Sequence, residues 1–514
     1  MILPRIAALI LGLALPVSLA AQSKPVTPAD FGKWESLAGG ATLSPDGRWL
    51  AYSVNRVNEE NELRIRGTAR DTTIMVAYGS GLTFSADSRF AAYSIGVSAS
   101  EQERLQREKK PVRNDIAILD LGTLERVVVD DISSFRFSSD GRFIALRGYA
   151  AEGKRAADLV VRELARAVPA SFGNVTEFAW SGAGPFLAMT LETERGTGNS
   201  VQVFDASSGT LRVLDSSASL YRSLAWRRKS DDLAVLRTVT ETGYRDTTHV
   251  VLAWTRAGSG SPMPRQLDPQ KAAGFPADMR IAETRTPDWA KDGSVIFVGL
   301  RPRERASQTT DSVKVAAPDS SKGNGAQSGD AQKKAEPEKV SDVQVWHARD
   351  VRIIPMQKAQ EQQDLRRTLL AAWHPLDNRV VKIGTDLLEN AVVLEGARFA
   401  TETDRKPYAF GIMFGRPYND VWVVDVKTGE RRKVLEKVRY YNGASVSGRK
   451  LLWYDGTDYW TLDLASNQRT NLTANVEADF SNAEYDYPTE IMPPRGAAGW
   501  TKSDAAVLVY DEYD

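Results

Sequence analysis

The sequence predicts an all-β protein, a β-propeller of seven or eight four-stranded blades, and two repeated phrases carry this prediction. The first phrase is a small polar turn, usually with Asp or Gly, followed by an apolar and aromatic run, and it occurs eight times in 514 residues. Four spacings between adjacent copies are 41, 53, 46 and 63 residues, close to the ~40–50 residues of one propeller blade. The copies are LSPDGRWLAYSV (43–54), FSADSRFAAYSI (84–95), FSSDGRFIALRG (137–148), WSGAGPFLAMTL (180–191), WRRKSDDLAVLR (226–237), WAKDGSVIFVGL (289–300), VSGRKLLWYDG (446–456) and WTKSDAAVLVYD (500–511).

The second phrase joins two alternating strands through a tight turn, as in 115–129, 200–214, 420–435 and 458–472. Side chains alternate between the faces of a strand, so Val421 and Val423 point one way while Trp422 and Val424 point the other. Gly429 lies in the turn of this copy, where it can adopt a positive φ. A small sheet buries both faces only against neighbours, which favours radial packing over one extended β-sandwich or a pair of sandwiches.

Two stretches interrupt the repeats. Residues 98–113 are charged and lack aromatic residues, which predicts a short solvated helix or a loop. Residues 303–340 lack aromatic residues, Leu and Ile, so we predict a disordered insertion within one blade. The stretch 342–355 is expected to supply the second hairpin of that blade, and 361–378 to start as a helical turn.

Composition excludes several classes of function. Sixty-six Lys and Arg balance 66 Asp and Glu, which gives no electrostatic basis for a nucleic-acid partner. The chain has no Cys and three His, so we expect no metal site and no cofactor. His249, His347 and His374 are predicted to have structural roles.

The first 22 residues combine an early Arg5, an apolar run of about 14 residues and a small-residue end, which is typical of a cleaved signal peptide. The expected location is therefore periplasmic or secreted, with no membrane association after cleavage. The propeller is expected to span 30–514, with its last blade incomplete.

No catalytic residue is predicted. The G-x-S-x-G elbow of a serine hydrolase does not occur in the sequence, and the near matches at 79–81, 258–260 and 443–447 are predicted to be turns. Asp46, Asp87 and Asp140 recur at one repeat position, where we expect them to cap the turn through side-chain to backbone hydrogen bonds.

The SPDGRWLAYS phrase, followed by a D-I-x-x-x-D-L hairpin, resembles the propeller repeats of TolB-like proteins and of the prolyl oligopeptidase family of serine peptidases. The signal peptide, the insertion before VQVWHARDVRIIPMQ and the closing GWTKSDAAVLVYDEYD are similar to the N-terminal half of an exported dipeptidyl aminopeptidase or acylaminoacyl-peptidase. In that family an α/β-hydrolase domain with the Ser, Asp and His of the triad follows the propeller. No residue here matches the triad, so the sequence is expected to be either a fragment cut before the catalytic domain or a stand-alone propeller that has lost it. The stop at Asp514 inside a repeat favours the fragment.

The resemblance implies a non-catalytic propeller that restricts the active site of the whole peptidase to short peptides. Glu59, Glu60 and Glu62 are weak candidates for binding a substrate α-amino group, against the alternative of an exposed acidic loop. A stand-alone periplasmic TolB-like propeller that binds a protein partner or acts as a scaffold is the alternative function. A third, weaker alternative is a propeller enzyme such as a glycosidase or lactonase, with its own site in the channel.

Overall fold

A computed structural model describes residues 26–166, 169–306, 350–387, 390–412 and 414–513. The predicted signal peptide, residues 307–340 of the predicted insertion and His347 lie outside the described residues. Chain contacts divide the protein into two units, 1–132 and 133–514.

The first unit contains two antiparallel sheets. Sheet S1 has β1 (Glu35–Leu37), β2 (Thr42–Leu43), β3 (Trp49–Arg56), β4 (Glu62–Gly67) and β5 (Thr73–Ala77), with β1 and β2 both pairing with β3. Sheet S2 has β6 (Gly79–Phe84), β7 (Phe90–Ile95), β8 (Asp115–Asp120) and β9 (Arg126–Val129). Helix α1 (Ala99–Arg107) lies between β7 and β8 and buries no residue, so of the two predicted alternatives for 98–113 the solvated helix is the one that forms. A 3-10 turn (Pro28–Lys33) precedes β1.

The second unit begins with sheets S3 to S5. Sheet S3 comprises β10 (Ile132–Phe137), β11 (Phe143–Gly148), β12 (Ala157–Glu163) and the first half of β13 (Pro169–Trp180). Sheet S4 comprises the second half of β13 with β14 (Phe186–Leu191), β15 (Ser200–Asp205) and β16 (Thr210–Ser216). Sheet S5 comprises β17 (Tyr221–Trp226), β18 (Leu233–Thr240), β19 (Thr247–Thr255) and β20 (Met263–Leu267).

Sheet S6 comprises β21 (Met279–Ile281), β22 (Asp288–Trp289), β23 (Ile296–Pro302), β24 (Leu369–His374) and β25 (Arg379–Lys382). Sheet S7 comprises β26 (Asn390–Val393), β27 (Phe399–Asp404), β28 (Asn419–Asp425) and β29 (Arg431–Val438). Sheet S8 comprises β30 (Tyr440–Ala444), β31 (Lys450–Tyr454), β32 (Tyr459–Asp463) and β33 (Arg469–Asn471). A final pair comprises β34 (Ala497–Trp500) and β35 (Val507–Val509). Helix α2 (Ile354–Arg366), helix α3 (Ala409–Ile412) and 3-10 turns at Lys406–Tyr408 and Lys502–Asp504 complete the described elements.

Consecutive sheets of the second unit pack face to face, and each contact has its own apolar cluster. The S3–S4, S4–S5, S5–S6, S6–S7 and S7–S8 contacts are each filled by fully buried side chains. In β28, Val421 and Val423 face S8 whereas Val424 faces S6, as the alternation predicted. Counting β1 with β2, and β21 with β22, as one interrupted strand each, because both members pair with the same neighbour, the first unit has two four-stranded sheets and the second unit has six. The predicted all-β propeller class is confirmed.

The repeated turn of the first phrase is held by one hydrogen-bond pattern. The buried Ser44 hydroxyl donates to Asp46 Oδ1 at 2.6 Å and accepts from the Trp49 N–H, while Asp46 Oδ1 accepts from the Arg48 N–H. Two further copies, at 85–90 and 138–143, repeat these three bonds. The predicted capping role of Asp46, Asp87 and Asp140 is therefore confirmed.

A tryptophan near the end of the first strand links each of three sheets to the preceding one. The indole N–H of Trp180 donates to the Arg136 carbonyl, that of Trp226 to the Ala179 carbonyl and that of Trp289 to the Ala225 carbonyl. Each acceptor lies in the first strand of the preceding sheet, so the repeated Trp fixes the stacking of S3 to S6.

Three local predictions need correction. The described part of 342–355 forms no hairpin, since β23 pairs instead with β24 and Pro355 lies in the first turn of α2, where Pro is favoured. Residues 79–81 are part of β6, with Gly81 at a bulge rather than in a turn. The insertion was predicted from 303, yet residues 303–306 are hydrogen-bonded to the loop at 243–246.

Candidate functional site

A cavity of about 420 Å³ lies at one end of sheets S6 and S7. Four arginines, three threonines and two amides line it together with three small or aliphatic side chains. The lining residues are Thr284, Arg285, Gln363, Arg366, Arg367, Thr368, Leu370, Leu387, Asn390, Ala391, Thr403 and Arg405. No carboxylate lines it among the residues that the structure describes, so its surface is strongly cationic.

An interruption of the first strand of S6 places Arg285 in the cavity. Strands β21 and β22 both pair with β23, and Thr284 and Arg285 fall in the gap between them. Gly299 in β23 leaves the space that Arg285 needs, because a Cβ at Gly299 would lie 2.7 Å from Arg285 Cβ and 2.8 Å from Thr368 Oγ1. The glycine in the buried part of β23 therefore has a specific steric purpose.

The guanidinium group of Arg285 is half-buried, and burial lowers its pKa, an effect that the nearby Asp288 partly opposes. Within the described ranges its guanidinium forms neither a hydrogen bond nor an ion pair. A desolvated cation without a partner is unfavourable in the empty protein and becomes favourable when an anion arrives.

The other three arginines come from different elements. Arg405 follows β27 and donates from Nε to Asn419 Oδ1 at 2.8 Å. Arg367 lies 3.4 Å from Asp364, measured from Nε to Oδ1. Arg366 is exposed in the last turn of α2. The guanidinium groups of Arg366 and Arg405 have no carboxylate partner in the described part of the chain.

Two acidic side chains near the cavity, Glu402 and Asp386, are occupied by other cations or amides. Glu402 is fully buried and accepts from the Thr385 N–H at 2.7 Å and from Arg431 at 2.5 Å. Asp386 is paired with Lys406. These carboxylates therefore do not neutralise the arginines of the cavity.

The arrangement is suited to binding rather than to bond cleavage. Guanidinium groups and hydroxyls recognise carboxylate or phosphate oxygens, often through two parallel bonds from one arginine. None of the lining residues is a histidine, a carboxylate or a serine that could form a nucleophile and base pair. No cluster of three or more metal-ligating side chains occurs among the described residues.

A second polar cluster lies between S5 and S6 and is held together by ion pairs. Arg303 reaches Glu241 at 2.7 Å and Asp246 at 3.1 Å, and its guanidinium lies 3.6 Å from the centre of the Tyr244 ring. Asp246 also accepts from the Glu304 N–H. These contacts hold 243–246 against 303–306, which indicates a structural role.

The two described histidines occupy structural positions, as predicted. His249 Nδ1 lies 3.0 Å from the Ile281 carbonyl, and His374 Nε2 lies 3.2 Å from the Val426 carbonyl. Burial lowers the pKa of both imidazoles. Each therefore ties one sheet to the next.

The predicted acidic candidates lie in the first unit, at the turn between β3 and β4. Glu59 has a φ of 63°, and the side chains of Glu59 and Glu60 are exposed. Glu62 is bound between Arg56 at 2.9 Å and Arg64 at 2.5 Å. Burial raises the pKa of Glu62, but the two arginines outweigh this and leave it lowered. Glu62 thus forms part of an ion network between β3 and β4. Substrate binding at Glu59 and Glu60 stays a prediction.

Sequence reasoning missed the arginine cavity. Its four arginines are separated by up to 120 positions, and only the Arg366-Arg367 pair is adjacent. No linear motif connects them, since the sheet register and the stacking of S6 on S7 bring them together.

No protein-family model matches the sequence. No curated protein matches it either. Among solved structures, a eukaryotic initiation factor is 12% identical with a TM-score of 0.39, over 84% of this chain and 87% of the other.

Two peptidase structures are also similar. Dipeptidyl peptidase 4 of Porphyromonas gingivalis is 11% identical with a TM-score of 0.38, over 88% of this chain and 56% of the other. The β-propeller domain of the Trilobed protease of Pyrococcus furiosus is 10% identical with a TM-score of 0.30, over 79% of this chain and 99% of that domain. These values describe a distant likeness and carry no information about function.

Proposed function

We propose that the chain is the non-catalytic propeller portion of a secreted serine peptidase similar to prolyl oligopeptidases. In this role it limits access to a catalytic domain elsewhere in the protein, so that only short peptides are cleaved. The observation that carries the proposal is the repeat itself, in which the SPDGRWLAYS-type phrase forms the same turn and strand in successive four-stranded sheets.

The loops at one end of S6 and S7 support a role in substrate contact. Binding residues are concentrated on loops that a rigid scaffold positions. Helix α2 and the cavity arginines lie on such connections, which run between β21 and β22, between β23 and β24, and after β27. A binding surface without a nucleophile is the arrangement expected of a propeller that handles substrate for another domain.

The first experiment is to determine the coding sequence beyond Asp514. The proposal expects an open frame of about 250 further residues, the size of an α/β domain, with G-x-S-x-G followed by Asp and His. A stop codon directly after Asp514 would refute the proposal and favour the stand-alone binding propeller of the TolB type.

The second experiment tests whether substrate size limits access to the catalytic domain. The full-length protein is incubated with peptides of increasing length and with a folded protein substrate, and cleavage is measured by mass spectrometry. Cleavage should fall steeply with substrate size, and a fluorophosphonate probe should label the full-length protein but not residues 23–514 alone. Equal cleavage of short peptides and folded protein would contradict gating.

Export is part of the proposal and has its own test. Residues 1–22 are expected to be removed during secretion, so the N-terminal sequence of the protein recovered outside the cytoplasm should start at about Ser23. None of the described helices is long and apolar enough to cross a membrane. An uncleaved N-terminus on the cellular protein would overturn the proposed export.

A further inference from the structure

We propose that the arginine cavity between S6 and S7 binds the carboxylate of a short peptide, either its free C-terminus or an acidic side chain. The identity of the ligand as a peptide rests on the proposed function, whereas the need for a carboxylate rests on the cavity alone.

The cavity has a concentrated positive charge. Four arginines converge on one space of about 420 Å³ that no described carboxylate lines. Arg285, Arg366 and Arg405 have no carboxylate partner in the described ranges, unlike Arg303 and Arg431 elsewhere in the unit. Four guanidinium groups that line one space without a described carboxylate between them are stabilised by an anion placed among them.

The surroundings of Arg285 also favour an anionic ligand. Arg285 is half-buried without a hydrogen-bond partner, and Gly299 provides the room for it. The charge of Arg285 is desolvated without compensation in the empty cavity. If Arg285 served only to fill space, an apolar residue in its place would therefore not reduce the stability of the fold. An incoming carboxylate supplies that compensation through charge-assisted hydrogen bonds.

The remaining lining residues favour a peptide over a bare inorganic anion. Thr284, Thr368 and Thr403 offer hydroxyls, and Asn390 and Gln363 offer amides, which match the N–H and C=O groups of a peptide backbone. Leu370, Leu387 and Ala391 provide an apolar wall for a small side chain. A volume of this size falls in the range of pockets for small organic ligands.

Isothermal titration calorimetry on the purified chain tests the proposal with three peptides. N-acetyl-trialanine with a free C-terminus carries one terminal carboxylate, N-acetyl-Ala-Glu-Ala amide carries only a side-chain carboxylate, and N-acetyl-trialanine amide carries none. Binding is expected for at least one of the first two and not for the third, and the stronger of the two identifies the source of the carboxylate. Binding should weaken as the salt concentration rises.

Variants then assign the binding to the cavity. Arg285→Gln and Arg366→Gln should each raise the Kd at least tenfold, since each removes charge-assisted hydrogen bonds to the ligand. Arg195→Gln, at an exposed position away from the cavity, should leave the Kd unchanged. Thermal melting of each variant verifies folding, and Arg366→Gln is at an exposed helix end, where a folding defect is not expected.

Three results would overturn the inference. The uncharged peptide could bind as strongly as the charged peptides, or the Kd could stay unchanged in both cavity variants. Inorganic phosphate could also displace the charged peptide as effectively as a second peptide does. The test uses only this chain, so it is independent of a hydrolase domain. Absence of such a domain would refute the proposed function without affecting the cavity, and absence of binding would refute the cavity ligand without affecting gating.

Discussion

Replacing Trp226 with phenylalanine tests how the sheets are held together. The Trp226 indole N–H donates to the Ala179 carbonyl at 2.9 Å across the S4–S5 contact, in a partly buried position. Phenylalanine cannot donate, so the carbonyl loses its partner, at a cost of about 1–3 kcal/mol. The smaller ring also leaves a void beside the S4–S5 cluster, which adds roughly 1 kcal/mol. We therefore expect the variant to lose about 2–4 kcal/mol of unfolding free energy.

Trp180 provides the matched comparison. It makes the same bond to the Arg136 carbonyl at 3.0 Å, but that bond is exposed, and water can replace the lost donor. Trp180→Phe should therefore cost about 1 kcal/mol or less. Urea unfolding followed by far-ultraviolet circular dichroism measures both values from the midpoint and slope. Equal losses in the two variants, or a loss below 1 kcal/mol for Trp226→Phe, would refute this account of the tryptophan bond.

Three further predictions concern single residues. Gly209→Ala should destabilise the protein by about 1 kcal/mol, because Gly209 has a φ of 73° with open space around it and only the left-handed conformation opposes the new Cβ. Leu124→Gly, at the equivalent turn position with a φ of 63°, should cause no loss of stability. A larger loss of unfolding free energy in Leu124→Gly than in Gly209→Ala, measured by urea unfolding, would contradict the explanation. Asp246→Ala should cost about 1.5–3 kcal/mol, because the Arg303 guanidinium loses one of its two carboxylate partners and keeps only Glu241. An unchanged melting temperature would show that the Asp246 contact contributes nothing. For His249, burial lowers the folded-state pKa despite the hydrogen bond to Ile281 and the nearby Glu283, which raise it. The unfolded state then takes up the proton first as the pH falls, so stability should decrease from about pH 6.5 downward until the folded-state pKa is reached. His249→Gln should flatten that slope, and an equal slope in the variant would exclude His249 as its source.

Local features of the fold could be predicted from the sequence because the groups involved lie within a few residues of one another. The Ser44 hydroxyl, Asp46 and the Arg48 and Trp49 N–H groups interact within six positions, so the phrase SPDGRW contains its own turn. Gly429 was expected in a left-handed turn position and has a φ of 80°. The equivalent position in another copy is Leu124, also left-handed, which residue type alone did not indicate.

Predictions that depended on which segments pair were less successful. The sequence between 342 and 355 resembles a strand, yet β23 pairs with β24 at 369–374, after helix α2. Many residues separate the two partners, and local propensity carries no information about a pairing over that distance. Glu62 was a candidate ligand for an amine, but the register of β3 on β4 places it between Arg56 and Arg64.

The sequence by itself determined the all-β class, the repeat, the SPDGRW-type turns and the solvated character of 98–113, because each depends on composition, on alternation or on hydrogen bonds between near neighbours. Only the tertiary structure determined the stacking of consecutive sheets and the convergence of Arg285, Arg366, Arg367 and Arg405. Strand pairing and sheet packing join residues that are far apart in the chain. The cationic cavity forms because these long-range contacts bring the four arginines together, and no local sequence motif encodes it.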